Sequence, residues 1–242
     1  MHEILDFTFN PFQEKTYTVT AADGRCAVID PGFRAGREAG AFLGALGSRG
    51  LVPAAILLTH AHFDHIYGVA PLLERFPGIP VYMNSADTPV LEILPEMCGR
   101  FGLPVPDCNF RHDEVSEGAA IEVYGLRFEP IATPGHTPGG MSYQLHDDGG
   151  DMLFSGDTLF AGAIGRTDLP YGEYDDEIRS IMEKLIVLDP ATAVYPGHGP
   201  ATTIGRERTG NPFLEPFNEP EEEETGPDAE PVIIRGPGPA GR

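Results

Sequence analysis

Apolar and polar positions alternate in short runs along most of this chain, and the runs predict strands at Ile4–Phe9, Tyr17–Thr20, Cys26–Ile29, Ala54–Leu58, Pro80–Met83, Ile121–Val123, Arg127–Ile131, Met141–Leu145, Met152–Phe154 and Ala193–Tyr195. Helical periodicity separates some of them. Ile178, Ile181, Met182, Leu185 and Ile186 recur at steps of three and four, so Glu173–Leu188 is predicted as a helix with one apolar stripe. Glu173, Asp175, Asp176 and Glu177 crowd its first turns, where the helix dipole favours negative charge. Further helices are predicted at Ile66–Arg75 and roughly at 36–48 and 86–94. Pro95–Asp113 has few apolar repeats and several Pro and Gly, and reads as a long loop bordering a site. Strands joined by both tight and crossover connections predict an α/β (α+β) fold, with a mixed sheet or two sheets covered by helices.

The pattern stops near residue 215. Residues 215–242 are rich in Pro and Gly and carry eight acidic side chains against Arg235 and Arg242, which is −6 of the net −21. Such a segment has too little apolar surface to offset its ordering entropy, so residues 1–214 are expected to form the folded domain and 215–242 a disordered tail. The large negative charge argues against nucleic-acid phosphates or anionic lipid as partners. No apolar run is long enough for a membrane span, and the N-terminus has neither basic nor apolar signal regions. Cys26, Cys98 and Cys108 lack paired spacing, which fits a reducing, cytoplasmic compartment and argues against a disulfide framework.

The chemistry lies in the histidines. Five of the eight fall in three short motifs: Thr59-His60-Ala61-His62-Phe63-Asp64-His65, Thr133-Pro134-Gly135-His136-Thr137-Pro138, and Tyr195-Pro196-Gly197-His198. Ser155-Gly156-Asp157 falls between the last two. The first motif begins where an apolar strand ends. In extended backbone, residues two apart face the same way, so His60 and His62 converge on one ion, while the turn into the next helix delivers Asp64 and His65 to the other side. A third imidazole for the first ion must come from elsewhere, and His136 is the candidate. Asp157 and His198 each follow a strand through a glycine-containing turn. Seven imidazole and carboxylate groups suffice for two divalent ions. His2, His112 and His146 lack spacing partners and read as ordinary polar residues.

The first motif, followed by isolated His, Asp and His, resembles the metallo-β-lactamase superfamily, as does Val28-Ile29-Asp30-Pro31-Gly32. The resemblance covers nearly all of 1–214 and implies a four-layered αββα sandwich with metals at one edge of the β layers. It implies that His60, His62 and His136 hold one metal, that Asp64, His65 and His198 hold a second, and that Asp157 bridges them. The ions implied are zinc, with iron or manganese as alternatives. The true β-lactamases place a cysteine in the second site; no cysteine lies near a motif here, so antibiotic hydrolysis is not expected. TPGHTPGG at 133–140, SGDTLFAGAIGRTDLP at 155–170 and YPGHGPATTIGRERTGNPF at 195–213 are similar to the glyoxalase II group in its short bacterial form, without the C-terminal helical domain that holds glutathione.

The expected function is therefore a binuclear metal-dependent thioesterase acting on a small hydroxyacylglutathione-type thioester. A hydroxide shared by the two ions attacks the carbonyl, and Asp64 is the catalytic carboxylate that ligates and orients it. One alternative is a persulfide dioxygenase with a single non-heme iron on His60, His136 and Asp157. Another is a non-catalytic binding module on the same fold. Arg166 and Asp168 are read either as a loop-stabilising ion pair or, through Arg166, as a substrate contact. Arg206 or Arg208 is a further candidate contact. Phe101, Tyr143, Phe160 and Tyr171 are expected to neighbour the pocket.

Overall fold

A computed structural model describes residues 2–217. The first sheet runs in the order β1 (Ile4–Phe9), β2 (Glu14–Thr20), β3 (Arg25–Ile29), β4 (Val52–Leu57), β5 (Val81–Met83), β6 (Asp113–Glu114). Its first three strands are antiparallel neighbours, and β3 to β6 are parallel. The second sheet contains β7 (Ile121–Val123), β8 (Leu126–Ala132), β9 (Met141–Leu145), β10 (Met152–Gly156), β13 (Ala193–Pro196) and β14 (Thr202–Thr203), in the spatial order β14-β13-β10-β9-β8-β7. A small hairpin pairs β11 (Leu159–Phe160) with β12 (Ala163–Ile164).

The alternation of side chains across each strand assigns the layers. On β3, Cys26 and Val28 face an outer core with Phe33, Phe42 and Leu72, whereas Ala27 and Ile29 face an inner core with Phe128, Tyr143 and Phe154. On β10, Met152 and Phe154 join that inner core and Leu153 turns the other way, to Ile181, Leu185 and Val194. Period-two strands buried on both faces need a cover on each. The helices supply it: α1 (Arg37–Ser48), α2 (Phe63–Ile66), α3 (Val69–Arg75) and α4 (Thr88–Phe101) lie over the first sheet, and α5 (Tyr174–Ser180) and α6 (Ile204–Gly210) over the second. The layering is αββα, as the resemblance implied.

The predicted strands recur with ends shifted by a few residues, while the two-residue strands β6, β11, β12 and β14 carried no periodic signal. The helix predicted over Ile66–Arg75 is two helices, α2 and α3. That predicted over Glu173–Leu188 is α5 followed by a π-helical turn, Ile181–Leu185, in which Ile186 N–H donates to Ile181 O at 2.9 Å. The long loop at 95–113 needs a larger correction. α4 passes through Pro95 and ends at Phe101, capped by Gly102 at φ 64°. Val90, Leu94, Met97 and Cys98 form one buried stripe across the proline, and their burial against the first core outweighs the lost backbone hydrogen bond. Among the described residues no helix is long and apolar enough to cross a membrane. The three cysteines are free thiols, Cys26 and Cys98 buried and Cys108 partly so. Most of the acidic tail expected at 215–242 lies outside the described residues; Pro212–Phe217 forms a 3-10 turn.

Candidate metal centre

All seven predicted groups meet at one end of the two sheets. His60, His62, Asp64 and His65 come from the loop and short helix α2 that follow β4, on the first sheet. His136 comes from the β8–β9 turn, Asp157 directly follows β10, and His198 follows β13, all on the second sheet. The sheets are tied together at this end. Met141 N–H donates to Thr59 O at 2.8 Å and Lys15 N–H to Gly197 O at 2.8 Å. The Tyr143 hydroxyl donates to Leu58 O and that of Tyr17 to Pro196 O, both at 2.7 Å.

Two trios have ligand atoms within 4.8 Å of one another: His60, His62 and His136, and Asp64, His65 and His198. His62 Nδ1 lies 2.9 Å from His136 Nε2, and His65 Nε2 lies 3.3 Å from His198 Nε2. Asp157 touches both groups, with Oδ2 3.6 Å from His136 Nε2 and 3.5 Å from His198 Nε2, and Oδ1 3.4 Å from His65 Nε2. Asp64 Oδ2 is 3.5 Å from His198 Nε2 and 4.0 Å from His65 Nε2.

Most of the imidazoles are oriented from behind. His136 Nδ1 donates to Arg166 O at 2.7 Å, and His198 Nδ1 to Phe12 O at 3.0 Å. Asp30 accepts from Thr59 N–H at 2.7 Å, from the Thr59 hydroxyl at 2.6 Å, and from His65 Nδ1 at 3.0 Å. With its proton given to Asp30, the Thr59 hydroxyl accepts from His60 Nδ1 at 3.0 Å. These partners place a proton on the rear nitrogen of four rings, so the forward nitrogen becomes a lone-pair donor in His60 and His136, and in His65 and His198 once a cation displaces the second proton. His60 Nε2 is buried with no hydrogen-bond partner. Such an orphan is costly in a protein interior unless a cation takes its lone pair. Asp30, His60 and His65 also cluster closely. Because the Asp30 oxygens are already engaged by three donors, it acts as an orienting group rather than a third metal site.

The electrostatics divide the site. Burial pushes His60 well below the usual imidazole value and His62 down to about 3, so both are neutral. Burial opposes charging His65, but Asp157 and Asp64 outweigh it and hold its imidazole well above the usual value. His198 is likewise carried up to about 10, burial being overcome by Asp157 and Asp64. Burial would raise the Asp157 carboxyl, yet His65 and His198 hold it well below the carboxylate range. One trio is thus neutral nitrogen, while in the other His65 and His198 are held protonated by the Asp64 and Asp157 carboxylates, positive charge at the place a cation would take over. This donor set suits a pair of divalent cations of the zinc and iron type.

Three buried carboxylates that sequence reasoning missed hold the ligand loops. Glu177, in the first turn of α5, accepts from His136 N–H at 2.8 Å, and burial pushes its carboxyl up to about 8. Gly135 packs against it at φ 147°, where a Cβ would stand 2.3 Å from the Glu177 Cα. Asp30 is the second. Asp87 is the third: it accepts from Ala61 N–H at 2.8 Å, Gly139 N–H at 2.6 Å and the Thr137 hydroxyl at 3.0 Å, and so joins the first motif to the His136 turn. Asp87→Ala leaves these three donors unpaired, at about 1–3 kcal/mol each if water does not replace the carboxylate. The expected result is a melting temperature lower by roughly 5–15 °C, read by differential scanning calorimetry on the metal-loaded protein. An unchanged melting temperature would show that Asp87 does not join the loops.

Above the ligands is a cavity of about 390 Å³ whose lining includes His62, Asp64, His136, Asp157, His198 and Arg166. Of the four expected aromatic neighbours, Phe101 and Phe160 line it. Tyr143 instead lies in the core between the sheets, and Tyr171 is exposed and apart from the cavity. Arg166 forms two hydrogen bonds to Asp168, at 2.7 and 2.8 Å, so the ion pair forms while Arg166 also borders the cavity. Arg208 donates to Ile186 O and to Leu188 O at the end of the second helical layer, which gives it a structural part, and Arg206 is exposed away from the cavity.

Comparison with known proteins agrees with this geometry. The chain is 38% identical over 209 residues to the hydroxyacylglutathione hydrolase GloC of Haemophilus influenzae, covering 84% of this chain and 93% of that protein. Among solved structures it is similar to the BLEG-1 B3 metallo-beta-lactamase, with a TM-score of 0.80, 36% identity, and coverage of 88% of this chain and 99% of that one. It is also similar to TTHA1623 in a di-iron-bound form, with a TM-score of 0.76, 40% identity, and coverage of 87% and 100%. Residues 10–198 match the family model described as the metallo-beta-lactamase superfamily, and the chain belongs to that superfamily.

Proposed function

We propose that this protein is a binuclear metal-dependent hydrolase that cleaves thioesters of small molecules. The observation that carries this reading is the position of Asp157, within 3.6 Å of an imidazole from each trio. His60, His62 and His136 would hold one ion, Asp64, His65 and His198 the other, and Asp157 would serve both, with zinc as the metal and iron or manganese as alternatives. Bound there, the ions would supply a Lewis acid for the carbonyl oxygen and bring the pKa of water toward ~7. The protein's own contribution is placement. Asn10 Nδ2 donates to Asp64 O at 3.0 Å and to Gly32 O at 3.1 Å, which fixes the backbone that presents Asp64. Asp64 would ligate its ion and, by accepting a hydrogen bond, orient the attacking water. The leaving thiol, with an ordinary pKa of about 8.5, departs as thiolate and needs no strong acid. The name of the GloC relative supports a thioester as substrate.

Metal content and free-thiol release, measured together, test the reading. Two metals per chain are expected, with thiol released from S-lactoylglutathione. Stripping by a strong chelator is expected to reduce turnover at least 100-fold and lower the melting temperature, and both should return on metal addition. A single iron with oxygen uptake would instead support the persulfide dioxygenase. The likeness to BLEG-1 favours a second reading, β-lactam hydrolysis. Cleavage of a chromogenic cephalosporin faster than any thioester would replace the first reading with that one.

A further inference from the structure

The walls of the cavity differ from its floor. Phe12, Phe63 and Phe101 form an aromatic cluster on one side, with ring centroids 5.3 Å apart for Phe12–Phe63, 5.4 Å for Phe12–Phe101 and 6.0 Å for Phe63–Phe101. Phe160 and Ile164 face the cavity from the β11–β12 hairpin. Phe101 is 51% exposed, so a large ring lies in solvent at the mouth beside two others. Among the described residues, and apart from the candidate ligands, Arg166 is the only polar or charged side chain of the lining, and Asp168 engages its Nε and one Nη, which leaves a single Nη for a substrate charge. A glutathione moiety carries two carboxylates and an ammonium. Within these walls those charges would lose water with few partners in return, whereas an alkyl or aryl arm would gain by leaving water.

We infer, resting on the thioesterase reading above, that the preferred substrate is a thioester with an apolar arm beside the carbonyl, a medium-chain alkyl or an aryl-alkyl group, rather than one with a charged peptide-like arm. The chain carries a net charge of −21, which favours an uncharged substrate over one with a net negative charge. The carbonyl lies over the ligands and the arm lies against Phe12, Phe63 and Phe101.

The test uses the metal-loaded full chain and two series. One varies the acyl group, from acetyl to octanoyl, on N-acetylcysteamine; the other varies the thiol, from S-ethyl to S-octyl, on acetate. In at least one series kcat/KM is expected to rise about 3- to 4-fold per methylene until the cavity is filled, and to exceed that for S-lactoylglutathione. Phe101→Ala is expected to reduce the ratio of six-carbon to two-carbon kcat/KM in that series about tenfold, because the arm loses its contact at the mouth. Flat profiles in both series, with S-lactoylglutathione the better substrate, would overturn the apolar arm and leave the thioesterase standing. If no thioester of any kind is cleaved, the thioesterase reading fails and the inference fails with it.

Discussion

Asp157→Ala is expected to reduce turnover by three orders of magnitude or more, about 4 kcal/mol of transition-state stabilisation, and to reduce bound metal from two ions per chain to one or fewer. The effect is large because the carboxylate serves both trios. Without it His136, His65 and His198 lose their common neighbour, and the protein loses the negative charge that balances two cations. Its carboxylate oxygens lie against other candidate ligands, His65, His136 and His198, and accept no hydrogen bond from a structural loop. The variant should therefore stay folded. Metal analysis, steady-state kinetics and circular dichroism on one preparation check this, and a folded Asp157→Ala protein that retains two metals and near-normal turnover would refute the bridging role.

Gly197→Ala is expected to be nearly as damaging although it removes no functional group. A Cβ on Gly197 would stand 2.2 Å from Asp157 Oδ1 and 2.7 Å from His65 Cε1. Neither neighbour has room to retreat. His65 is fully buried and bonded to Asp30, and Asp157 is wedged between imidazoles. The methyl must displace one of them or push back the turn that carries His198. Overpacking of this kind costs typically 1–3 kcal/mol in stability. The larger loss is functional, since a shift of ~1 Å at a reacting centre costs about 100-fold in rate. Calorimetry should show a modest drop in melting temperature, and kinetics a drop of at least 100-fold. Wild-type activity in the variant would mean that Gly197 has more space than the structure gives it.

Much of the site was legible because its ligands are local in sequence. Three histidines and an aspartate within six residues leave few alternatives, and His136 and His198 are marked by their Pro-Gly turns. Asp87, Glu177 and Asp30 in its bonding role were not legible. Each is one acid among 37 Asp and Glu residues, and its part is set only when a distant loop brings backbone N–H groups or an imidazole to it. Their burial and raised or engaged carboxyls come from the fold, not from any neighbour in sequence. The course of α4 was misread for a local reason. Pro95 normally stops a helix, and with few apolar repeats beyond it only the packing shows that Met97 and Cys98 continue the stripe of Val90 and Leu94. Tyr143 was misplaced because its position on β9 shows that it is buried but not which of the two sheet faces it occupies.

Neither sheet owns the centre. The part of the chain through β6 supplies four of the seven groups and the part from β7 onward supplies three, so each half ends in an incomplete cage. A protein severed in the connection after Val115 would be two fragments that each lack a finished site. Their reassembly should depend strongly on divalent cation, with the ions acting as a clasp that adds to the apolar seam and to cross-links such as Met141 N–H to Thr59 O and Gly139 N–H to Asp87.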